Sequence, residues 1–202
     1  MSTIVRKINK VSGQMSSIDR YSQTRLINPE SVLEHTGFVC FCSLMIGKEL
    51  EKAGEEIDFG ELLIKATLHD IEETVTGDIA CPTKYWDSDM TREVKRIERE
   101  AGRAVLHDLD PSGNLFEYWK SSKDKKEGFI VALADKLAVV YKVNQETLDF
   151  GNNTLKGHIN GLVPALDGMH AYMMLSNENL IQNTKVITNI IEEAKEICQA
   201  VI

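Results

Sequence analysis

No stretch of this chain stays apolar for long. The best run, FVCFCSLMIG at residues 38–47, is far short of the ~20 residues that cross a bilayer. The opening MSTIVRKINK has no apolar core of the kind a signal peptide carries. These absences predict a soluble, cytoplasmic protein with no membrane partner. Positive charge is also in deficit: 23 Lys and Arg against 31 Asp and Glu leave a formal net charge of −8. Nonspecific binding to a nucleic-acid polymer draws on many cationic contacts, so that class is disfavoured, although a small anion in one local basic pocket is still allowed. Cysteine is scarce. The four residues at 40, 42, 81 and 198 form no CxxC motif and no second matching pair, and they read as reduced thiols in the core or a pocket. With no repeat, low-complexity tract or linker, the 202 residues are expected to form one domain, 1–202, large enough for a proper core.

Strand-like alternation is absent as well. Apolar residues recur at helical spacing almost throughout, which predicts an all-α fold. The first helix is expected from about Ser31 to Lys52, opening on Asn28 and Pro29 and turning Val32, Val39, Cys42, Leu44 and Ile46 inward. A second should begin after Asp58, with Leu62, Leu63, Ala66, Leu68 and Ile71 on its apolar side, and stop at Thr76, Gly77 and Asp78, ahead of a loop holding Pro82. Met90 to Leu106 reads as a surface helix, charged on one side and apolar at Val94, Ile97, Ala101, Ala104 and Val105. Two more helices are expected, from Lys125 to Leu148 and from about Glu178 to Val201, the last with Leu180, Ile181, Val186, Ile187, Ile190, Ile191, Ala194 and Ile197 as its core stripe. The segment around His158, Gly161, Pro164, Gly168 and His170 reads as broken, its histidines as loop or cap residues. Trp86 and Trp119 read as core or interface residues.

Within this frame four residues carry chemistry: His35, the adjacent His69 and Asp70, and Asp135. Two imidazoles and two carboxylates can close around one divalent ion, and a mixed set of this kind accepts several metals while leaving positions open for water and substrate. Neighbours on a helix point ~100° apart, so His69 and Asp70 can share an ion only if it sits over the groove between their faces, with His35 and Asp135 arriving from packed neighbours. Asp135 is framed by Val131, Ala132, Leu133, Ala134, Leu137 and Ala138, where an ionised carboxylate is costly unless a cation pairs with it. That cation is a metal or a buried Lys or Arg. Each residue alone has a plainer explanation, since an HD dipeptide recurs by chance and a single His on an amphipathic helix is commonly a packed or surface side chain.

The longer pattern is more specific: DRY at 19–21, ESVLEHT at 30–36, HDIEETVTGDIACPTKYW at 69–86, LADKL at 133–137 and GNN at 151–153. It resembles the HD-domain metal-dependent phosphohydrolases, and among them the bacterial 5′-deoxynucleotidases, over about residues 18–153. The resemblance implies a compact helical bundle that binds one divalent metal (Co, Mn, Zn, Mg or Ni) through His35, His69, Asp70 and Asp135. It implies that Arg20 orients the substrate phosphate with its planar fork of donors, and that Glu73, one turn after His69 on the same helical face, positions or deprotonates the attacking water. Asp78, with the backbone of Ile79, Ala80 and Cys81, would form the wall against the nucleoside. Lys84 would add charge stabilisation if it is not a solvated loop lysine. Asp70 and Asp135 would also meet substrate. Glu72 reads as an exposed helix carboxylate.

Tyr21 stands where the compared deoxynucleotidases carry tryptophan, so discrimination between deoxyribose and ribose can differ here. The implied partner is a small deoxynucleotide, the implied reaction is removal of the 5′-phosphate from a deoxynucleoside monophosphate, and the implied assembly is a homodimer. Three alternatives stay open. One is a dNTP triphosphohydrolase of the dATP type found in phages, and another is a nucleotide-binding regulator with an idle site. The third is a di-iron oxygenase, which would need histidines beyond the motif, where His107, His158 and His170 lie.

Overall fold

A computed structural model describes residues 3–122, 125–175 and 180–201 of the chain. Its central element is α8 (Lys125–Asn144), buried on almost every side through Phe129, Ile130, Val131, Leu133, Ala134, Ala138, Val140 and Val143. A helix apolar around its whole circumference belongs in the middle of a bundle. Against it pack α2 (Val32–Lys52) and α3 (Phe59–Leu68), and these three helices hold one another. On the other side of α8 lie α9 (Ile159–Leu175) and α10 (Thr184–Val201). The outer elements are α1 (Thr3–Ser16), two single turns α4 (Glu73–Thr76) and α5 (Cys81–Lys84), the long α6 (Ser88–Leu109) and the short α7 (Asn114–Lys120). Among the described residues there is no strand, only an isolated bridge between Asp19 and Ser31, so the all-α expectation holds.

Local chemistry explains the main starts. Ser31 caps α2 by accepting from the Glu34 backbone N–H while the Glu34 carboxylate accepts from the Ser31 N–H, a reciprocal box readable in SVLE. The capping residue is therefore Ser31, two residues beyond the expected Asn28–Pro29 opening. Asp58 caps α3 and Asp87 caps α6 through the side-chain half of this arrangement alone, accepting from the Glu61 and Met90 backbone N–H groups. After Asn144 the α8 chain widens into a π-turn over Gln145–Asp149 and stops before Gly151, whose φ of 68° glycine tolerates.

Several expectations are corrected. Asp58 to Thr76 is not one helix: α3 ends at Leu68, residues 69–72 form a turn, and α4 follows. Glu73 therefore opens its own helical turn instead of lying one turn along from His69. Between His158 and His170 the chain is continuously helical, a 3-10 turn at Asn153–His158 leading into α9. Pro164 costs that helix one backbone hydrogen bond, which burial of Ile159, Leu162, Leu166 and Met173 offsets. Helices α1 and α7 were not expected. On α6, Ile97 and Ala104 face outward while Gly102 is buried under Trp119, whose ring a Cβ at 102 would meet at 2.9 Å. Cys42, Leu44 and Leu63 are only half-buried. Ile197 is exposed and Cys198 takes its place in the α10 stripe; that helix starts only at Thr184, so Leu180 and Ile181, expected on its stripe, precede it, while Glu178 itself lies outside the described residues. Trp86 is 79% exposed, so it is no core residue. All four cysteines are free. Among the described residues no helix is long and apolar enough to cross a membrane.

Candidate metal centre

The early end of α3 is what builds the site. A helix leaves its last carbonyls without intrahelical partners, and His69, first residue past the end, donates Nδ1–H to the Ala66 carbonyl at 2.8 Å. Because a carbonyl can only accept, the neutral ring carries its lone pair on Nε2. That nitrogen faces His35 Nε2 at 3.2 Å. His35 comes from the first turn of α2 and is completely buried. Asp70 brings Oδ2 to 3.1 Å from His69 Nε2 and 3.4 Å from His35 Nε2, and Asp135, midway along α8, brings Oδ1 to 3.2 Å from His35 Nε2.

Two ligand atoms sharing one ion at bond lengths near 2.1 Å stand ~3.0 Å apart at a right angle and ~3.4 Å apart at the tetrahedral angle. The four separations fall in that interval. His35, His69 and Asp135 offer atoms all within 4.8 Å of one another, and Asp70 joins through its contacts to both rings. Opposed ring nitrogens at 3.2 Å repel unless a proton or a cation lies between them, so the donor set fits a divalent ion.

Comparison with known proteins identifies the family and the fold. Residues 9–184 match the family model described as 5′-deoxynucleotidase YfbR-like. The chain belongs to the YfbR-like 5′-deoxynucleotidase family. A 5′-deoxynucleotidase of Photorhabdus laumondii is 30% identical over 168 residues, covering 80% of this chain and 83% of that protein, and one from Vibrio cholerae is 30% identical over 69% of this chain and 74% of its own length. The fold recurs in a Pyrococcus horikoshii protein (TM-score 0.73, 21% identity, 96% and 99% of the two chains). It recurs again in an HD-domain phosphohydrolase of Listeria innocua (TM-score 0.71, 19% identity, 97% and 99%).

Around the candidate ligand set of this YfbR-like protein, the other predicted residues fall at different distances from it. Arg20 reaches it: Nη1 donates to Asp70 Oδ2 at 3.1 Å, Nε lies 3.5 Å from Glu30, and the side chain is 12% exposed. Its backbone N–H donates to the Glu30 carbonyl at 2.8 Å, which, with the Asp19–Ser31 bridge, fixes the turn. Tyr21 sits at φ 57°, uncommon for a bulky residue, and is held there because Asp78 accepts from its N–H at 2.9 Å. Asp78 thus fastens the Arg20–Tyr21 turn to the loop of Ile79 and Ala80, both half-buried, and exposed Cys81. Lys84 is drawn away to Glu98 at 2.5 Å. Glu73 keeps one buried oxygen, Oε2, without a partner.

Two features were missed. Glu72 is buried, not exposed, and accepts from Trp119 Nε1 at 2.9 Å; no sequence signal separates it from Glu73. His158 sets its ring edge-on to Tyr21, centroids 5.6 Å apart. His170 pairs with Thr188 at 3.0 Å, and His107 is exposed on α6. Neither these two nor His158 joins the ligand cluster, so the additional histidines a di-iron oxygenase would need are not supplied by them.

The electrostatics reflect crowding. Burial works against a charged His69, but Asp70 and Asp135 carry it up to about 9. Burial would also raise Asp70, yet the two imidazoles and Arg20 hold it well below the carboxylate range. Asp135 moves the same way, chiefly through His35 and Lys136. Burial first and Asp70 second push Glu73 up to about 10 and Glu72 to about 7.

Proposed function

We propose that this protein removes the 5′-phosphate of 2′-deoxynucleoside monophosphates, giving deoxynucleoside and orthophosphate, with one divalent ion held by His35, His69, Asp70 and Asp135. The observation that carries the reading is the convergence of two imidazoles and two carboxylates at 3.1–3.4 Å with the Arg20 guanidinium on their Asp70 edge. Family membership supports the substrate class. When bound, a dication of this kind lowers the pKa of water and neutralises charge on phosphoryl oxygens; Co, Mn, Zn, Mg and Ni all suit the mixed nitrogen and oxygen set.

The chain's own residues do the rest. Arg20 keeps terminal N–H groups for phosphate oxygens, which orients the phosphorus for attack and stabilises the charge that builds there. Glu73 orients the attacking water and takes its proton; with burial and Asp70 pushing its carboxyl up to about 10 even beside Arg20, this role needs the further positive charge of a bound ion to return it to the carboxylate form. Asp78, Ile79, Ala80 and Cys81 form the nucleoside wall, and Tyr21 backed by His158 meets the sugar or base. Lys84, committed to Glu98, contributes through that pair or not at all. The same reading makes the enzyme a cytoplasmic homodimer, to be checked by sedimentation.

The deciding experiment is chromatography of products from metal-loaded protein with each dNMP, dNTP and matching ribonucleotide, beside His69→Ala. Deoxynucleoside and orthophosphate from dNMP, abolished in the variant, is the expected result. Deoxynucleoside and intact triphosphate from dNTP would establish the dATP-type alternative instead, and nucleotide binding without any product would establish a regulator.

A further inference from the structure

Asp135 divides its two oxygens. Oδ1 faces His35 at 3.2 Å, and Oδ2 accepts from the Lys136 ammonium at 2.8 Å. Between residues 131 and 140 of α8, Asp135 and Lys136 are the only charged side chains in the sequence. A lysine on a bundle helix ordinarily extends into water, as Lys52 does at 70% side-chain exposure. Lys136 instead folds back on the ligand set and is 37% exposed. Its charge is close enough to feel Cys81, on the loop expected to wall the nucleoside, and Asp70. The ammonium therefore stands beside the candidate ligand set on its Asp135 side, still partly open to solvent.

We propose that Lys136 is a second phosphate-binding cation, standing on the Asp135 flank of the ligand set as Arg20 stands on the Asp70 flank. The proposal deepens the phosphohydrolase reading and rests on it for the identity of the anion. An ammonium has three donors, and Asp135 occupies one, leaving two for phosphoryl oxygens. The two cations suit different duties. The Arg20 fork is held by Asp70 and Glu30, whereas Lys136 is a point charge on a four-carbon stem that can follow the phosphoryl group as its geometry changes. The competing structural role is narrower: Lys136 steadies Asp135 and never meets the substrate.

The test is calorimetric titration of orthophosphate into cobalt-loaded wild type, Lys136→Met and Lys136→Arg, with cobalt affinity measured separately by chelator competition. Losing one charge-assisted contact should weaken orthophosphate roughly ten- to a hundredfold in Lys136→Met, with cobalt affinity unchanged and binding largely restored in Lys136→Arg. Unchanged orthophosphate affinity, or a loss matched by an equal loss of cobalt affinity, would overturn the proposal in favour of the steadying role. Because the readout is binding, a protein that takes up cobalt and orthophosphate through Lys136 but cleaves no dNMP would refute the nucleotidase reading while leaving this one standing.

Discussion

Two groups of charge lie along one helical run, the first around Asp135 midway along α8 and the second the Lys142–Glu146 pair where α8 passes into its π-turn, and they are finished in opposite ways. At the end of α8, Glu146 is fully buried and its carboxylate accepts from the Ile27 and Asn28 backbone N–H groups at 2.9 Å and from Asn152 at 2.6 Å. Lys142, 1% exposed, lies 3.5 Å from it and donates to the Asn28 carbonyl. Every part of that pair is answered. Around Asp135, by contrast, Arg20 Nε, His35 Nδ1 and Glu73 Oε2 are buried without hydrogen-bond partners; among the described residues only Ser43 Oγ shares that condition elsewhere. Buried polar groups are overwhelmingly paired in native proteins. A saturated cluster stabilises a fold, whereas the set around Asp135 leaves a buried Glu73 oxygen unanswered beside converging imidazoles and carboxylates, as suits a place where something arrives later.

If the contrast is real, the two groups should fail differently. The largest effect belongs to the orphaned group: Glu73→Gln should cut turnover of dNMP by roughly 10²- to 10⁴-fold, the range of a lost general base, while isothermal titration still shows metal and nucleotide binding. Unchanged turnover would remove Glu73 from the chemistry.

Glu146→Gln should do the reverse, leaving metal affinity intact and costing about 3 kcal/mol of stability by stranding Lys142, on the order of 10 °C in Tm. Its pH signature follows from sign. The Glu146 carboxyl lies below its ordinary 4.5 because, although burial raises it, the Ile27, Asn28 and Asn152 donors and Lys142 outweigh that. Its contribution is therefore present above about pH 4.5 and lost as pH falls through the depressed folded value, so the variant should show a flatter acid limb in denaturant titrations. A dication at a hundred times its Kd should stabilise wild type by about 2.7 kcal/mol and leave the Tm of His35→Ala unmoved; equal shifts in both would mean the ion binds elsewhere. The smallest effect tests the rim. Gly102→Ala, by forcing Trp119 off Glu72, should cost about 1–2 kcal/mol with catalysis only slightly altered.

What could be read from the sequence follows the same division. That His35, His69, Asp70 and Asp135 would be brought together was legible because metal chemistry demands particular residue types, and their fixed spacing narrows the alternatives. Long helices with apolar stripes were legible for the reason that periodicity records burial. The rest depended on partners remote in sequence. Nothing in TLHDIEET announces that the helix stops at Leu68, since each of those residues tolerates a helix; the stop is imposed by packing and rewarded by the His69–Ala66 contact. Glu72 and Glu73 differ in role because Trp119, 47 residues away, claims one of them. The outward turn of Ile97 and burial of Gly102 likewise depend on α7, a helix too short to show a period. The exchange of Ile197 for Cys198 is a one-residue rotation of a stripe read correctly in kind.

The segment carrying Arg20 and Tyr21 is fastened along its whole length: Asp19 to Ser31, Tyr21 to Asp78, the Arg25 carbonyl to Asn152 and Thr154, and Ile27 and Asn28 to Glu146. A segment so anchored is no lid. Its amides should exchange with deuterium as slowly as those of the helices beside it, and the substrate should dock onto a surface already arranged, at a rate set by diffusion and charge with no closing motion to wait for.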